Sequence, residues 1–152
     1  MAVEVYCWQP KGNNVGHASI KVDGGAPPGS SYLSVWPGEA LAIVFGKAAF
    51  NKYEDDVGSE GGQPLVARLT KLDETAIKAQ MEIMRRSENY CFIAFNCATQ
   101  ASICLNAGVP GATVRRALDF LGGPLSFVFS PSIINTPWNL YAYAKLLEKS
   151  YA

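Results

Sequence analysis

The spacing of apolar and polar positions divides the chain into a strand-forming first third and a helix-forming remainder. Ala2 to Trp8 is short and rich in β-branched and aromatic residues, and the turn-forming stretch Gln9-Pro10-Lys11-Gly12-Asn13-Asn14 ends it. From Gly16 to Val22 the pattern has a period of two. Ala18, Ile20 and Val22 fall on one face and His17, Ser19 and Lys21 on the other, which predicts a half-buried strand. A loop is expected from Asp23 to Gly29. The strand Ser31 to Trp36 then places Tyr32, Ser34 and Trp36 on one face and stops at Pro37-Gly38. Between Glu39 and Gly62 the period is lost. This stretch reads as a long surface loop with one helical turn at Lys47 to Phe50, the kind of segment that serves as a lid or binding loop or is simply tolerated. Leu65 to Thr70 alternates again.

Beyond Thr70 the spacing becomes helical. Asp73 is a capping residue ahead of Ile77, Met81 and Met84, which recur at i, i+4 and i+7, with Arg85 and Arg86 at the C-terminal end where positive charge suits the helix dipole. Tyr90 to Phe95 is an apolar, aromatic run. Asn96 then caps a helix from Cys97 to Ala107, stopped by Gly108-Val109-Pro110. A further helix is expected from Thr113 to Leu121. The last begins at Thr136-Pro137, a capping residue with proline at the first helical position. Strands first and helices after is the order of an α+β domain, and 152 residues suit one domain spanning the whole chain.

Composition narrows the function. Thirteen Lys plus Arg against thirteen Asp plus Glu, scattered along the chain, leave no basic footprint, so nucleic acid is not an expected partner. With 49% hydrophobic residues the chain has material for a core, and no run reaches the ~18 apolar residues that span a bilayer. The N-terminal Met1-Ala2-Val3-Glu4 carries an acid where a signal peptide has a basic region, so any export is expected to bypass the general secretory route. The cysteines Cys7, Cys91, Cys97 and Cys104 are accordingly expected to be reduced. No metal is expected. There is no Cys-x-x-Cys, and Cys97 and Cys104 on one helix lie about 10 Å apart along its axis. Nor does any pattern call for a cofactor.

Scarcity points to the chemistry. His17 is the sole histidine, so any mechanism that needs an imidazole base must use it. Taken alone, a histidine on the polar face of a strand is an ordinary surface residue. Cys97 changes that, because it follows the cap Asn96 at the first turn of a helix. Unpaired backbone N–H groups and the positive dipole end favour a thiolate there and can receive an oxyanion. A helix-start cysteine facing a strand histidine is the minimum unit for thiolate–imidazolium catalysis. A third polar residue usually orients the histidine. Ser34, on the neighbouring strand, is the first candidate, and Asp119 is the alternative. Cys7, Cys91 and Cys104 read as packing residues.

Taken together, Val15-Gly16-His17-Ala18-Ser19-Ile20, Tyr32-Leu33-Ser34-Val35-Trp36-Pro37, the run from Tyr90 through Phe95-Asn96-Cys97-Ala98-Thr99, and Ala107-Gly108 resemble the circularly permuted papain-like cysteine hydrolases. In that group, which includes cell-wall amidases, lecithin:retinol acyltransferase-like enzymes and papain-fold toxins of bacterial secretion systems, the histidine strand precedes the cysteine helix. The toxin-type members are the nearest in these phrases. The resemblance implies an antiparallel sheet packed on a cysteine-bearing helix, with Cys97 as nucleophile and His17 as base. It also implies an amidase or endopeptidase acting on cell-wall peptide, delivered from the cytoplasm as a secreted effector, with an immunity protein as partner. The chain departs from the group's pattern in that no second histidine or acid follows His17 on the next strand. An acyltransferase, protease or deamidase acting on lipid or host protein is the alternative, and a non-catalytic binding domain is a third reading.

Overall fold

The computed structural model describes residues 2–23, 31–38, 46–87, 89–90, 96–110 and 136–151. In chain order the elements are β1 (Val3–Trp8), β2 (His17–Val22), β3 (Tyr32–Pro37), β4 (Gly46–Phe50), α1 (Tyr53–Glu60), β5 (Leu65–Leu69), α2 (Glu74–Ser87), the two-residue β6 (Asn89–Tyr90), α3 (Cys97–Ala107) and α4 (Pro137–Ser150). The strands form a sheet in the order β5-β1-β2-β3-β4-β6 with every neighbouring pair antiparallel. The fold is α+β.

Register fixes what each face carries, because alternate residues of a strand point to opposite sides. Val5 pairs with Ile20 and Ala67, and Ile20 with Leu33, so the apolar positions of four strands share one face. α3 lies against β2 and β3, α4 against β5 and β1, and α2 against α3. Their apolar stripes close over that face with Ile77, Met81, Leu105, Leu140 and Leu147, all fully buried. Each such side chain contributes roughly 1.5–3 kcal/mol relative to exposure. The helix starts use the predicted caps: Asp73 Oδ1 accepts from Ala76 N at 3.0 Å, Asn96 Oδ1 from Thr99 N at 3.0 Å, and Thr136 Oγ1 from Asn139 N at 3.1 Å.

The stretch from Glu39 to Gly62 departs from its sequence reading. Gly46–Phe50 is a strand, not a helical turn: Val35 pairs with Phe50 and Trp36 with Ala49, and sheet pairing overrides the helical preference of Lys47-Ala48-Ala49. Tyr53–Glu60 is a helix within what reads as loop. Glu54, Asp55 and Asp56 fill its first turn, where negative charge suits the dipole. Asp55 Oδ2 accepts from the Lys52 backbone N–H at 3.3 Å, and Gly61 ends the helix in the left-handed conformation at φ 75°. The expected helix Thr113 to Leu121, with Asp119 in it, lies outside the described residues. So do Cys91 and nearly all of the Asp23 to Gly29 loop.

Candidate active site

The face of the sheet away from α2, α3 and α4 carries the residues that alternate with the core. His17 pairs with Trp8 across β1 and β2, and Ser19 with Tyr6 and Ser34. Gly16 sets the start of β2. Its φ is 85°, and a β-carbon there would lie 2.5 Å from the Trp8 carbonyl oxygen, so only glycine lets the chain pass this close to the end of β1. The Gly16 N–H donates to Asn14 Oδ1 at 2.9 Å, which fixes the turn that delivers His17 into the sheet.

His17 is 2% exposed, so it is not a surface histidine. Its Nε2 lies 2.8 Å from Ser34 Oγ and 3.4 Å from Asp56 Oδ2. The ring stacks on Trp36 with centroids 4.2 Å apart and planes inclined by 23°. Ser34 is therefore at the imidazole, where the strand pattern placed it. The acid that the next strand does not supply arrives from α1 as Asp56, fully buried.

Donors and acceptors in this cluster assign themselves. The Trp36 indole N–H, which can only donate, gives to Ser34 Oγ at 3.1 Å and Asp56 Oδ1 at 2.8 Å. Tyr32 donates its hydroxyl to Asp56 Oδ2 at 2.5 Å, so at its 2.7 Å contact with Ser19 Oγ it accepts. Ser34 accepts from Trp36, and Ser34 also hydrogen-bonds the Asp56 carboxylate. With its one proton donated to Asp56, Ser34 is an acceptor toward His17 Nε2–H. Asp56 thus collects hydrogen bonds from serine, tyrosine and indole next to the imidazole. Burial alone raises its pKa, but the hydrogen bond and charge of His17, then the hydrogen bonds of Ser34 and Tyr32, outweigh burial and hold it below the usual carboxylate value.

Cys97 enters from the other direction, at the first turn of α3. Asn96 caps that turn and has its side chain turned back onto Thr99, and Cys97 itself is 9% exposed. The imidazole and the thiol are in contact. Burial lowers the His17 pKa, but charge on Cys97, hydrogen bonds with Asp56 and Cys97, and the Asp56 charge overcome burial and raise it from 6.5 to about 9. With Nε2 turned to Ser34 and Asp56, Nδ1 is the ring nitrogen left for sulfur. Cys7 and Cys104 differ in kind: both are buried in the core, and burial pushes each thiol up to about 12.

Of the residues singled out from sequence, the structure brings His17, Ser34 and Cys97 together, and Asp119 lies outside the described residues. Sequence reasoning misses Asp56. Among the described residues no group of three His, Cys, Asp or Glu side chains is placed to hold a metal, and no helix is long and apolar enough to cross a membrane. No family model, curated protein or solved structure matches this chain, so the site's own geometry is what carries a functional reading.

Proposed function

We propose that the protein is a cysteine hydrolase acting on an amide bond, with Cys97 as nucleophile, His17 as general base and acid, and Ser34 and Asp56 orienting the imidazole. The observation that carries this is a single buried histidine whose Nε2 meets a serine and a carboxylate and whose ring hydrogen-bonds a thiol at a helix N-terminus. The imidazole, its pKa raised to about 9, stands beside that thiol as the base that takes the proton from sulfur when sulfur attacks. Sulfur attacks the amide carbonyl, and the backbone N–H groups of Cys97 and Ala98, ahead of the Thr99 N–H that Asn96 caps, are the proposed donors to the developing oxyanion. His17 then protonates the leaving amine. A water, deprotonated by His17, attacks the thioester and releases acid and free thiol. Asp56 keeps the imidazole in the tautomer and orientation these transfers need.

The order of histidine strand and cysteine helix, and an antiparallel sheet packed against that helix, support a permuted papain-like arrangement. On that resemblance the substrate is a peptide of bacterial cell wall. The route is delivery as an effector without a signal peptide, and the producing cell holds an immunity protein. Iodoacetamide labelling at neutral pH tests the chemistry. Cys97 is expected to react at least ten times faster than Cys7 and Cys104, whose buried thiols are almost wholly protonated, and His17→Ala is expected to remove the difference. Labelling of Cys97 no faster than that of Cys7, Cys91 and Cys104, or labelling unchanged by His17→Ala, ends the proposal and leaves a binding domain. Release of amines from purified cell wall, set against lipid and protein substrates, identifies the acceptor class. Cys97→Ala is expected to abolish both that release and toxicity on expression in the target compartment while the protein still folds.

A further inference from the structure

Strands β1 to β3 and the first turn of α1 enclose an open pocket of about 600 Å³ on the sheet face that carries Asp56. It is walled by the rings of Tyr6, Tyr32 and Tyr53 and rimmed by Lys21, Asn51, Lys52 and Glu54. The volume is in the range of small-ligand sites, ~300–1,000 Å³. Lys21 sits ~13 Å along β2 from His17 at the strand rise, and neither His17 nor Cys97 is among the residues that line the pocket.

Two features of the lining choose the ligand. First, the three phenol hydroxyls are already committed: Tyr6 donates to Glu4 Oε2, Tyr32 to Asp56 Oδ2, and Tyr53 to Gln63 Oε1 at 2.8 Å. What the tyrosines offer an occupant is ring surface. The rings pack on one another with centroids 5.1 to 6.1 Å apart, as one aromatic wall and not three isolated side chains. Second, the rim mixes charges and amides. Lys21 is paired with Asp23 at 3.3 Å and Glu4 at 3.8 Å, Lys52 and Glu54 add one charge of each sign to the lining, and Asn51 carries both a donor and an acceptor. A strongly anionic or cationic ligand meets like charge somewhere on such a rim. A neutral ring with an apolar face and several hydroxyls does not: its C–H face lies on the tyrosines and its hydroxyls find donors and acceptors at the edge.

We propose that this pocket is a binding site for a neutral saccharide. Tyr32 belongs both to its wall and to the hydrogen bonds that hold Asp56, so an occupant touches the His17 cluster through one residue. The saccharide site does not depend on what Cys97 does, and its test does not use catalysis. The full chain is titrated by calorimetry with N-acetylchitotriose and with maltotriose. Saturable binding of either is expected, weakened about tenfold by Tyr53→Leu, which keeps apolar volume and loses the ring. Lys21→Met, which leaves every ring in place, is expected to weaken binding a few-fold and serves as the readout if Tyr53→Leu lowers the melting temperature. The proposal is overturned if neither trisaccharide saturates at roughly 10 mM. It is overturned equally if both variants bind as tightly as wild type, or if tetramethylammonium, a ligand of aromatic cation cages, binds in place of the sugars.

Discussion

The two faces of the sheet are built from the same strands and have opposite contents. The face under α2, α3 and α4 is lined by Val3, Val5, Ala18, Ile20, Val22, Leu33, Val35, Ala67 and Leu69, and among the described residues of β1, β2, β3 and β5 the one hydrogen-bonding side chain on it is the thiol of Cys7. The other face carries Tyr6, Trp8, His17, Ser19, Tyr32, Ser34 and Trp36, joined by ring contacts and hydrogen bonds to one another and to Asp56. A period of two therefore separates what holds the molecule together from what gives it reactivity. The same register that buries Ile20 sets Ser19 and Ser34 side by side on the opposite face. Each face can be damaged with limited harm to the other.

The largest effect is expected on the polar face. Asp56→Asn keeps the shape of the side chain but removes the charge opposite His17, and the amide group can turn an N–H toward Nε2 where an acceptor stood. Cys97 alkylation and amide hydrolysis are expected to fall about 10³-fold. The melting temperature is expected to fall too, because Asp56 is fully buried and paired with His17, so the rates are compared where the variant is folded. A rate within a few-fold of wild type would mean that Ser34 alone orients the imidazole. The converse substitution is Ile20→Ala. Ile20 is fully buried beneath the helices, and losing it is expected to cost about 3 kcal/mol in chemical denaturation. Under conditions where the variant is folded, its Cys97 alkylation rate should match wild type. If that rate falls with stability, the two faces are coupled and the separation drawn above is wrong.

How far each face can be read from sequence follows the same division. Alternation in Gly16 to Val22 and Ser31 to Trp36 gives both faces of β2 and β3, and with them the meeting of His17 and Ser34. The caps Asp73, Asn96 and Thr136 give three helix starts, including the one that carries Cys97. Asp56 is not legible by the same means, because α1 has no apolar stripe to betray it: it is a short, charged helix whose exposed side faces solvent and whose one buried residue is the acid itself. Its signal lies at its ends, three acids in the first turn and Gly61-Gly62 after the last. β4 is hidden for a different reason. Lys47, Ala48 and Ala49 have no β-branched character, and only the pairing with β3 makes them a strand. Where a segment is held by partners distant in sequence, local pattern carries little of the information.

A smaller effect should appear in the pH dependence of stability. The His17 pKa is raised from 6.5 to about 9 in the folded protein. Its contribution is thus fully present below about pH 6.5 and lost as pH rises through about 9. Asp56 acts at the other end: its pKa is lowered, so its contribution is present above the unfolded value of 3.8 and lost as pH falls below it. Melting temperatures measured from pH 6 to 10 are expected to decline across the upper window in wild type and to decline less in His17→Gln. Parallel curves for the two proteins would place the neutral, not the protonated, imidazole in the folded state.

The smallest effect separates two services of one side chain. The Trp36 ring lies on His17, and its N–H bridges Ser34 and Asp56. Trp36→Phe retains an aromatic face for the imidazolium and removes the bridge. Trp36→Ala removes both. Asp56 keeps the Tyr32 and Ser34 hydrogen bonds in either variant, so the carboxylate is weakened as an anion without being left unpaired. Alkylation of Cys97 is therefore expected to slow by less than about tenfold in Trp36→Phe, with the acid limb of its pH profile moved upward because Asp56 protonates more readily. Trp36→Ala should slow it further, since an imidazolium on an aromatic face is favoured by roughly 0.5–2 kcal/mol. Equal rates in the two variants would assign the whole effect to the N–H bridge. An unshifted acid limb in Trp36→Phe would mean that the bridge holds Ser34 in place and does not tune Asp56.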